Sequence, residues 1–195
     1  MRIVFEGADL VGKSTLAQEV AKRLNLPYRG KITRVAPEEL LLKQQEDFKK
    51  HPNAVLDRCY WLSNLIYEPI TAHAPSIIST GTALRDFLRD PDTIYVLVTA
   101  NEATLGARYK ERGDELQTLS TIIEANKMYL KVLQVCTPKN LIILHTDKLT
   151  VEQCVEKVLD MLKPYLGEDV VVQQPVKKEV KTKQTVKEDK TDAAN

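Results

Sequence analysis

The chain has 195 residues and a formal net charge of +1, with 28 Lys and Arg against 27 Asp and Glu, which excludes a global pull toward nucleic acid or a membrane surface and suits one domain with a proper core plus an appendage. Cys59, Cys136 and Cys154 match no zinc or disulfide spacing, and their odd count reads as reduced thiols in a cytoplasmic protein. No apolar run approaches membrane-spanning length, and the chain enters a strand almost at once, so no signal peptide is expected.

Ile3-Val4-Phe5 is an apolar strand, and Thr15 to Leu24 is an amphipathic helix. Between them lies Gly7-Ala8-Asp9-Leu10-Val11-Gly12-Lys13-Ser14, which fits G-x-x-x-x-G-K-[ST] in the strand–loop–helix context that the pattern requires. Gly7 and Gly12 allow positive φ and close backbone approach to an anion. The loop N–H groups then converge at the positive end of the helix dipole. Lys13 can reach the β- and γ-phosphates, and the Ser14 hydroxyl can ligate Mg²⁺. Gly7 through Thr15 is therefore the expected nucleotide-phosphate cradle. The plain alternative is a glycine turn before an ordinary surface helix.

Asn25-Leu26-Pro27 ends this helix, because Pro forbids its continuation. Tyr28 to Val35 alternates weakly and predicts a second strand, rich in Arg29, Lys31 and Arg34. Pro37 opens a helix with Glu38 and Glu39 in its first turn, running to about His51. Ala54-Val55-Leu56 is a short buried strand with polar residues at its carboxyl end, where ligands gather in open α/β sheets. A helix follows from Cys59 to His73, with Tyr60, Trp61, Leu65 and Ile66 on one face, and Pro75 breaks it. Residues 76–90 read as a short apolar piece and a helix containing Arg85 and Arg89. Thr93 to Thr99 is the strongest strand, continuously apolar as central parallel strands are.

Asn101 caps a helix that runs to Arg112, and Gly113-Asp114-Glu115 is a polar break. Leu119 to Val135 is another helix, Leu141 to Leu144 a last strand, and Thr150 to Leu166 a terminal helix capped by Thr150. Such alternation implies an α/β fold: three layers, α/β/α, around a parallel sheet of about five strands with right-handed crossovers. Residues 1–167 form the expected P-loop domain. Residues 168–195 form a Lys-rich tail, expected to be disordered because from Gln173 on it has no Leu, Ile or aromatic residue and six Lys against four acids.

Asp9 lies inside the phosphate loop, where a carboxylate should avoid the nucleotide phosphates. It is expected to point across the cleft and accept a hydrogen bond from a second ligand's hydroxyl; the alternative is a turn-stabilising Asp. Asp57 can hold Mg²⁺ as a Walker-B-like carboxylate does, and Arg58 can fork onto a phosphate. The alternative there is a structural ion pair at a strand end. Arg108 and Arg112 share a helix face beside the polar break. With Lys110 they could close over the donor phosphates and neutralise transition-state charge; without the phosphate loop, a solvated basic face would be the better reading. His51, His73 and His145 are isolated, with no metal spacing. Tyr60, Trp61 and Tyr67 read equally as core or as a stacking platform for a base.

Taken together, these residues resemble the thymidylate kinases. Phe5-Glu6-Gly7-Ala8-Asp9 with Gly12-Lys13-Ser14-Thr15 resembles their opening E-G-x-D-x-x-G-K-S-T. Leu56-Asp57-Arg58, followed by Ser63 and Tyr67, is similar to their D-R-Y/H…S…Y segment, and Glu102 to Gly113 to their helix and lid. The resemblance implies transfer of the ATP γ-phosphoryl group, with Mg²⁺, to a deoxynucleoside 5′-monophosphate. It implies that Asp9 contacts the acceptor sugar's 3′-hydroxyl and that Arg58 holds the acceptor phosphate, with Tyr67 nearby. Arg108 and Arg112 would act on the transferred group or cover the adenine, since Leu10 and Val11 are not basic. Asp147 and Lys148 fall in the adenine-side loop.

There are departures from the family pattern. Its R-E-P-G-G segment is missing, so Arg34 stands in as the phosphate-binding arginine, with Arg29 as the alternative. Ser63 sits one place later than in most thymidylate kinases, which favours the deoxynucleoside kinases. Those use a catalytic Glu after the second strand, and Tyr28 to Val35 contains none. A monophosphate acceptor, already ionised, needs no such base. Its own base stays open, with a pyrimidine favoured (dTMP or dUMP-like). A homodimer through the face around Trp61 and Leu65 is expected, with no nucleic acid or membrane partner. The short, divergent chain also resembles virus-encoded deoxynucleotide kinases, which would place it in a host cytoplasm. The alternatives are a deoxynucleoside kinase and a non-catalytic nucleotide-binding module.

Overall fold

The computed structural model describes residues 1–30, 39–67, 69–70, 88–112, 117–135, 137–167 and 172–174. Expectations placed on Lys31, Arg34, Pro37, His73, Pro75, Arg85, the break at 113–115, Cys136 and the Trp61 side chain lie outside the described residues.

The elements follow the expected alternation. They are β1 (Arg2–Glu6), α1 (Lys13–Arg23), β2 (Tyr28–Arg29), α2 (Leu40–Lys50), β3 (Ala54–Asp57), α3 (Tyr60–Tyr67) and β4 (Thr93–Thr99). α4 (Glu102–Arg112), α5 (Leu119–Val135), β5 (Leu141–His145) and α6 (Val151–Leu162) complete the domain. The five strands form one sheet in the order β2-β3-β1-β4-β5, and each neighbouring pair is parallel. All seven residues of β4 are buried, as expected of a central strand covered on both faces.

This order positions the site. After β1 the chain crosses to β2 at one edge, and after β3 it crosses to β4 on the other side of β1. The direction of winding reverses between β1 and β3, which opens a crevice at their carboxyl ends. The register sets Phe5 opposite Asp57. The glycine loop after β1 and the Asp57-Arg58 pair after β3 therefore emerge side by side.

Local signals explain the helix ends. Asn25 takes φ +52°, while Leu26 N–H reaches Ala21 O at 2.9 Å and Asn25 N–H reaches Lys22 O at 3.2 Å. This is a Schellman closure, so the left-handed Asn25 stops α1 before Pro27 has any part in it. Asn101 Oδ1 accepts from Thr104 N–H at 2.8 Å at the start of α4. Thr150 and Gln153 form a reciprocal capping box on α6. The terminal helix is shorter than expected. Its α-helical part stops at Leu162, and Lys163–Tyr165 is a 3₁₀ turn. Pro164 has no N–H to give the Asp160 carbonyl, so Lys163 takes it instead.

The core lies on both faces of the sheet, and Tyr95, Tyr129 and Phe5 are its largest fully buried side chains. Buried Arg23 pairs with Glu152 at 3.0 Å and Glu156 at 2.8 Å, tying α1 to α6. Gln173 returns to the same point, its N–H on Arg23 O at 2.8 Å. Among the described residues, no helix is long and apolar enough to cross a membrane.

Candidate active site

The loop from Ala8 to Ser14 lines one wall of a cleft of about 860 Å³. Three of its residues have positive φ: Gly7 at +145°, Leu10 at +66° and Gly12 at +91°. Gly7 is compelled by space as well as by conformation, because a Cβ there would meet the Val98 carbonyl oxygen at 2.2 Å. Gly12 hands directly into α1, placing Lys13, Ser14 and Thr15 in its first turn, with exposed Ser14 and Thr15 facing the cleft.

Lys13 is buried, with Nζ 3.3 Å from Asp57 Oδ1. Burial pushes its pKa down, Arg58 adds to this, and Asp57, Asp9 and Glu6 oppose it. Asp57 Oδ2 accepts from the Tyr28 hydroxyl at 3.2 Å. Its Oδ1 makes no hydrogen bond of proper geometry, although it lies within ion-pair distance of Lys13. The ion pair holds there without it, because attraction between charges needs no alignment.

The Asp9 carboxylate is held by side chains from outside the loop. Its Oδ1 accepts from Arg58 Nη2 at 2.7 Å, and its Oδ2 accepts from the Tyr67 hydroxyl at 3.3 Å. Gln117 Nε2 also donates to Oδ2. Burial would raise the Asp9 pKa, but Arg58 and then Lys13 outweigh it and hold the carboxyl below its usual value. Arg58 itself is buried, and its backbone stands at φ +82°, rare for a residue with a side chain. Its Nη1 donates to the Tyr129 hydroxyl at 3.0 Å and, more distantly, to Ser63 Oγ at 3.4 Å. The guanidinium also lies 5.6 Å from the Tyr67 ring centre.

On the opposite wall, Arg108 donates to Leu10 O at 3.0 Å and to Thr146 Oγ1 and O at 3.1 and 3.2 Å. Thr146 Oγ1 in turn donates to Val11 O at 3.2 Å. Arg108 thus clamps the phosphate loop to the turn after β5. Arg112 also lines the cleft, with exposed Glu111 beside it. In the turn after β5, Thr146 and Leu149 line the cleft. Asp147 is engaged by the Asn101 N–H, and Lys148 is exposed. Arg29 pairs with Asp47 at 2.9 Å.

Beneath the loop lies Glu6, 1 % exposed. It accepts from the Cys59 N–H and, through Oε2 at 3.1 Å, from the Tyr129 hydroxyl. Burial raises its pKa to about 7, against the opposing pull of Arg58, the Cys59 N–H, Lys13 and Tyr129. The native state therefore holds this proton more tightly than the unfolded chain does. That contribution to stability is complete below about pH 4.5 and is lost as pH rises through about 7, a change of about 3 kcal/mol. Glu6→Gln should flatten this part of the profile, read as urea midpoints from pH 4.5 to 8; parallel profiles for the two proteins would refute it.

Tyr129 and Gln117 were not singled out by sequence. Tyr129 falls on the buried stripe of α5 with Ile122, Ala125, Asn126 and Leu133, a spacing that reads only as core. Gln117 carries no local signal beyond its place next to a polar break.

A glycine loop closing on a buried lysine at the winding switch of a parallel sheet defines a P-loop α/β fold. The chain belongs to the AAA domain family, whose model matches residues 3–129. Among solved structures, it is similar to the YorR protein of Bacillus subtilis in complex with phosphorylated GDP. That match has 22% identity over 86% of this chain and 99% of that one, with a TM-score of 0.67. It is similar to deoxyadenosine kinase from M. mycoides with bound dCTP, at 16% identity, 84% and 100% coverage and a TM-score of 0.59. Thymidylate kinase from Candida albicans aligns at 15% identity, 84% and 91% coverage and a TM-score of 0.60. These likenesses are of fold. No curated protein matches the sequence.

Proposed function

We propose that this protein transfers the γ-phosphoryl group of ATP to a deoxynucleoside 5′-monophosphate, with a pyrimidine favoured. The observation that carries the reading is the two-sidedness of the phosphate loop. Lys13, Ser14 and Thr15 line the cleft at the start of α1. Asp9 lines it from the loop itself, and its carboxylate reaches across the winding switch to Arg58 and Tyr67. A donor-only cradle has no use for a buried arginine paired to its own loop. An acceptor site needs both groups: a carboxylate for a sugar hydroxyl and a guanidinium for a phosphate.

Mg²⁺ suits the residues present. Ser14 lies in the first turn of α1 at the cleft, and Asp57 keeps one buried oxygen without a hydrogen bond, a donor set of the oxygen type this ion takes together with nucleotide phosphates and water. When bound, Mg²⁺ would neutralise phosphate charge. Lys13 would take the β/γ-phosphates, and Arg108 and Arg112 would supply positive charge on the lid side. Arg34 is the proposed second contact to the acceptor phosphate, and the Asp147-Lys148 turn flanks the donor base. A homodimer through α3, a cytoplasmic setting and a separate tail over 168–195 belong to the same reading.

A deoxynucleoside kinase is the second reading, favoured by Ser63 standing within reach of Arg58. An acceptor panel of all deoxynucleosides and their monophosphates, with ATP and Mg²⁺, decides between them. ADP release with monophosphates and not with nucleosides is expected. Turnover of nucleosides alone would overturn the first reading, and ATP binding without turnover of either would leave a nucleotide-binding module.

A further inference from the structure

We propose that Tyr129 is a positioning residue for the acceptor phosphate: its hydroxyl braces Arg58 from behind, so that Asp9 can exchange Arg58 for the acceptor sugar without releasing it. This rests on the reading of Asp9 and Arg58 as acceptor groups.

Arg58 is gripped on two sides. Nη2 bonds to Asp9, and Nη1 bonds to Tyr129. The two grips differ in access. The Asp9 side chain is 31% exposed and belongs to the cleft wall, whereas Tyr129 is fully buried. A sugar hydroxyl that reaches Asp9 competes with Arg58 there, but no ligand reaches Tyr129. The Arg58 backbone is also fixed, its N–H held by Phe5 O at 3.0 Å. The remaining freedom is in the side chain, where the Tyr129 oxygen takes the shorter of the two Nη1 bonds, 3.0 Å against 3.4 Å to Ser63 Oγ, with the Tyr67 ring centre 5.6 Å from the guanidinium.

The hydrogen bonding of the hydroxyl supports a permanent brace. Tyr129 has one hydrogen and two lone pairs. With Glu6 ionised, the hydrogen goes to Glu6 Oε2 at 3.1 Å, and the lone pairs accept from Arg58 and from Ser63 Oγ at 3.2 Å. With Glu6 neutral, Glu6 donates instead, the Tyr129 hydrogen turns to Ser63, and one lone pair still faces Arg58. The groups around Glu6 are the Cys59 N–H, Arg58, Lys13 and Tyr129, and none of them displaces that lone pair. Burial pushes the Tyr129 pKa well up, so its hydrogen is kept. The grip on Arg58 therefore holds across neutral pH.

Tyr129→Phe keeps the ring, which packs edge-on against Tyr67 at 6.4 Å, and deletes only the oxygen. The expected result is an acceptor-monophosphate KM raised about tenfold, the size expected for losing one hydrogen bond to a charged group. The KM for ATP should move less than about twofold, and the acceptor effect should be equal at pH 6 and pH 8. Loss of kcat with both KM values unchanged is what a merely structural tyrosine would give, and it would overturn the brace. So would a larger acceptor effect from Ser63→Ala than from Tyr129→Phe.

Should Tyr129→Phe fail to fold, Asp9→Asn gives an independent reading. Binding should still favour the monophosphate over the nucleoside by the wild-type ratio, because Tyr129 keeps Arg58 in place; collapse of that ratio would overturn the proposal. A wild-type protein inactive on every monophosphate overturns both readings, whereas normal wild-type turnover with an unchanged Tyr129→Phe overturns the brace alone.

Discussion

Lys13→Ala should lower phosphoryl transfer by at least about 10³-fold, the scale of losing a preorganised charge at a transferring phosphoryl group. The side chain is held at the cleft floor, buried against Asp57 at 3.3 Å. Burial and the Arg58 charge push its pKa down, so the lysine is poorly solvated before any nucleotide arrives. Incoming phosphates offer the anionic partners that water does not. The substitution also leaves Asp57 as a buried charge with, among the described residues, only the Tyr28 hydroxyl as a hydrogen-bond partner. Stability should fall by about 3 kcal/mol, as it does when one partner leaves a buried pair. Adding Asp57→Asn removes the orphaned charge and should restore most of that stability with no recovery of turnover. Urea midpoints and a coupled ADP assay on the single and double variants check both halves. Turnover within tenfold of wild type would refute the phosphate-loop reading, whatever the stability.

What could be read from the sequence was what is decided locally. β4 at Thr93–Thr99, α4 from the Asn101 cap and α5 at Leu119–Val135 stand at their expected positions. Each is set by its own apolar period and by caps within four residues. The phosphate loop was legible for the same reason: its glycines, lysine and serine act through adjacent backbone. For Asp9 the local argument, that a carboxylate among converging N–H groups has to face elsewhere, goes no further than its contacts to Arg58 and Tyr67.

The rest depends on partners far apart in the chain. Tyr129 meets Glu6 and Arg58 across separations of 123 and 71 residues, and its helix spacing says only that it is buried. Arg108 reads as a mobile lid charge, yet it bonds to Leu10 and Thr146, because the sheet order brings the turn after β5 beside the loop after β1. Pro27 reads as the end of α1, yet the left-handed Asn25 closes the helix before it.

Gly7→Ala and Gly12→Ala test whether the loop's backbone, rather than its side chains, builds the cradle. Both positions have positive φ, so an alanine at either is strained by about 1–2 kcal/mol. Their surroundings differ. At Gly12 a Cβ meets nothing within 4 Å, whereas at Gly7 it meets the Val98 carbonyl oxygen at 2.2 Å. That oxygen belongs to the backbone of β4, which is buried and paired on both sides, so it cannot swing aside as a flexible side chain would. Relief has to come from lifting the loop off the sheet or from parting β1 and β4. Overpacking of this kind adds about 1–3 kcal/mol, which brings the expected loss for Gly7→Ala to about 4 kcal/mol against about 1–2 for Gly12→Ala. A lifted loop also turns its N–H groups off the phosphates, so Gly7→Ala should lose measurable ATP binding even where it remains folded. Urea denaturation and calorimetric titration with ATP compare the two variants. Equal losses of stability would mean that φ alone sets the demand for glycine and that the contact with Val98 yields at no cost.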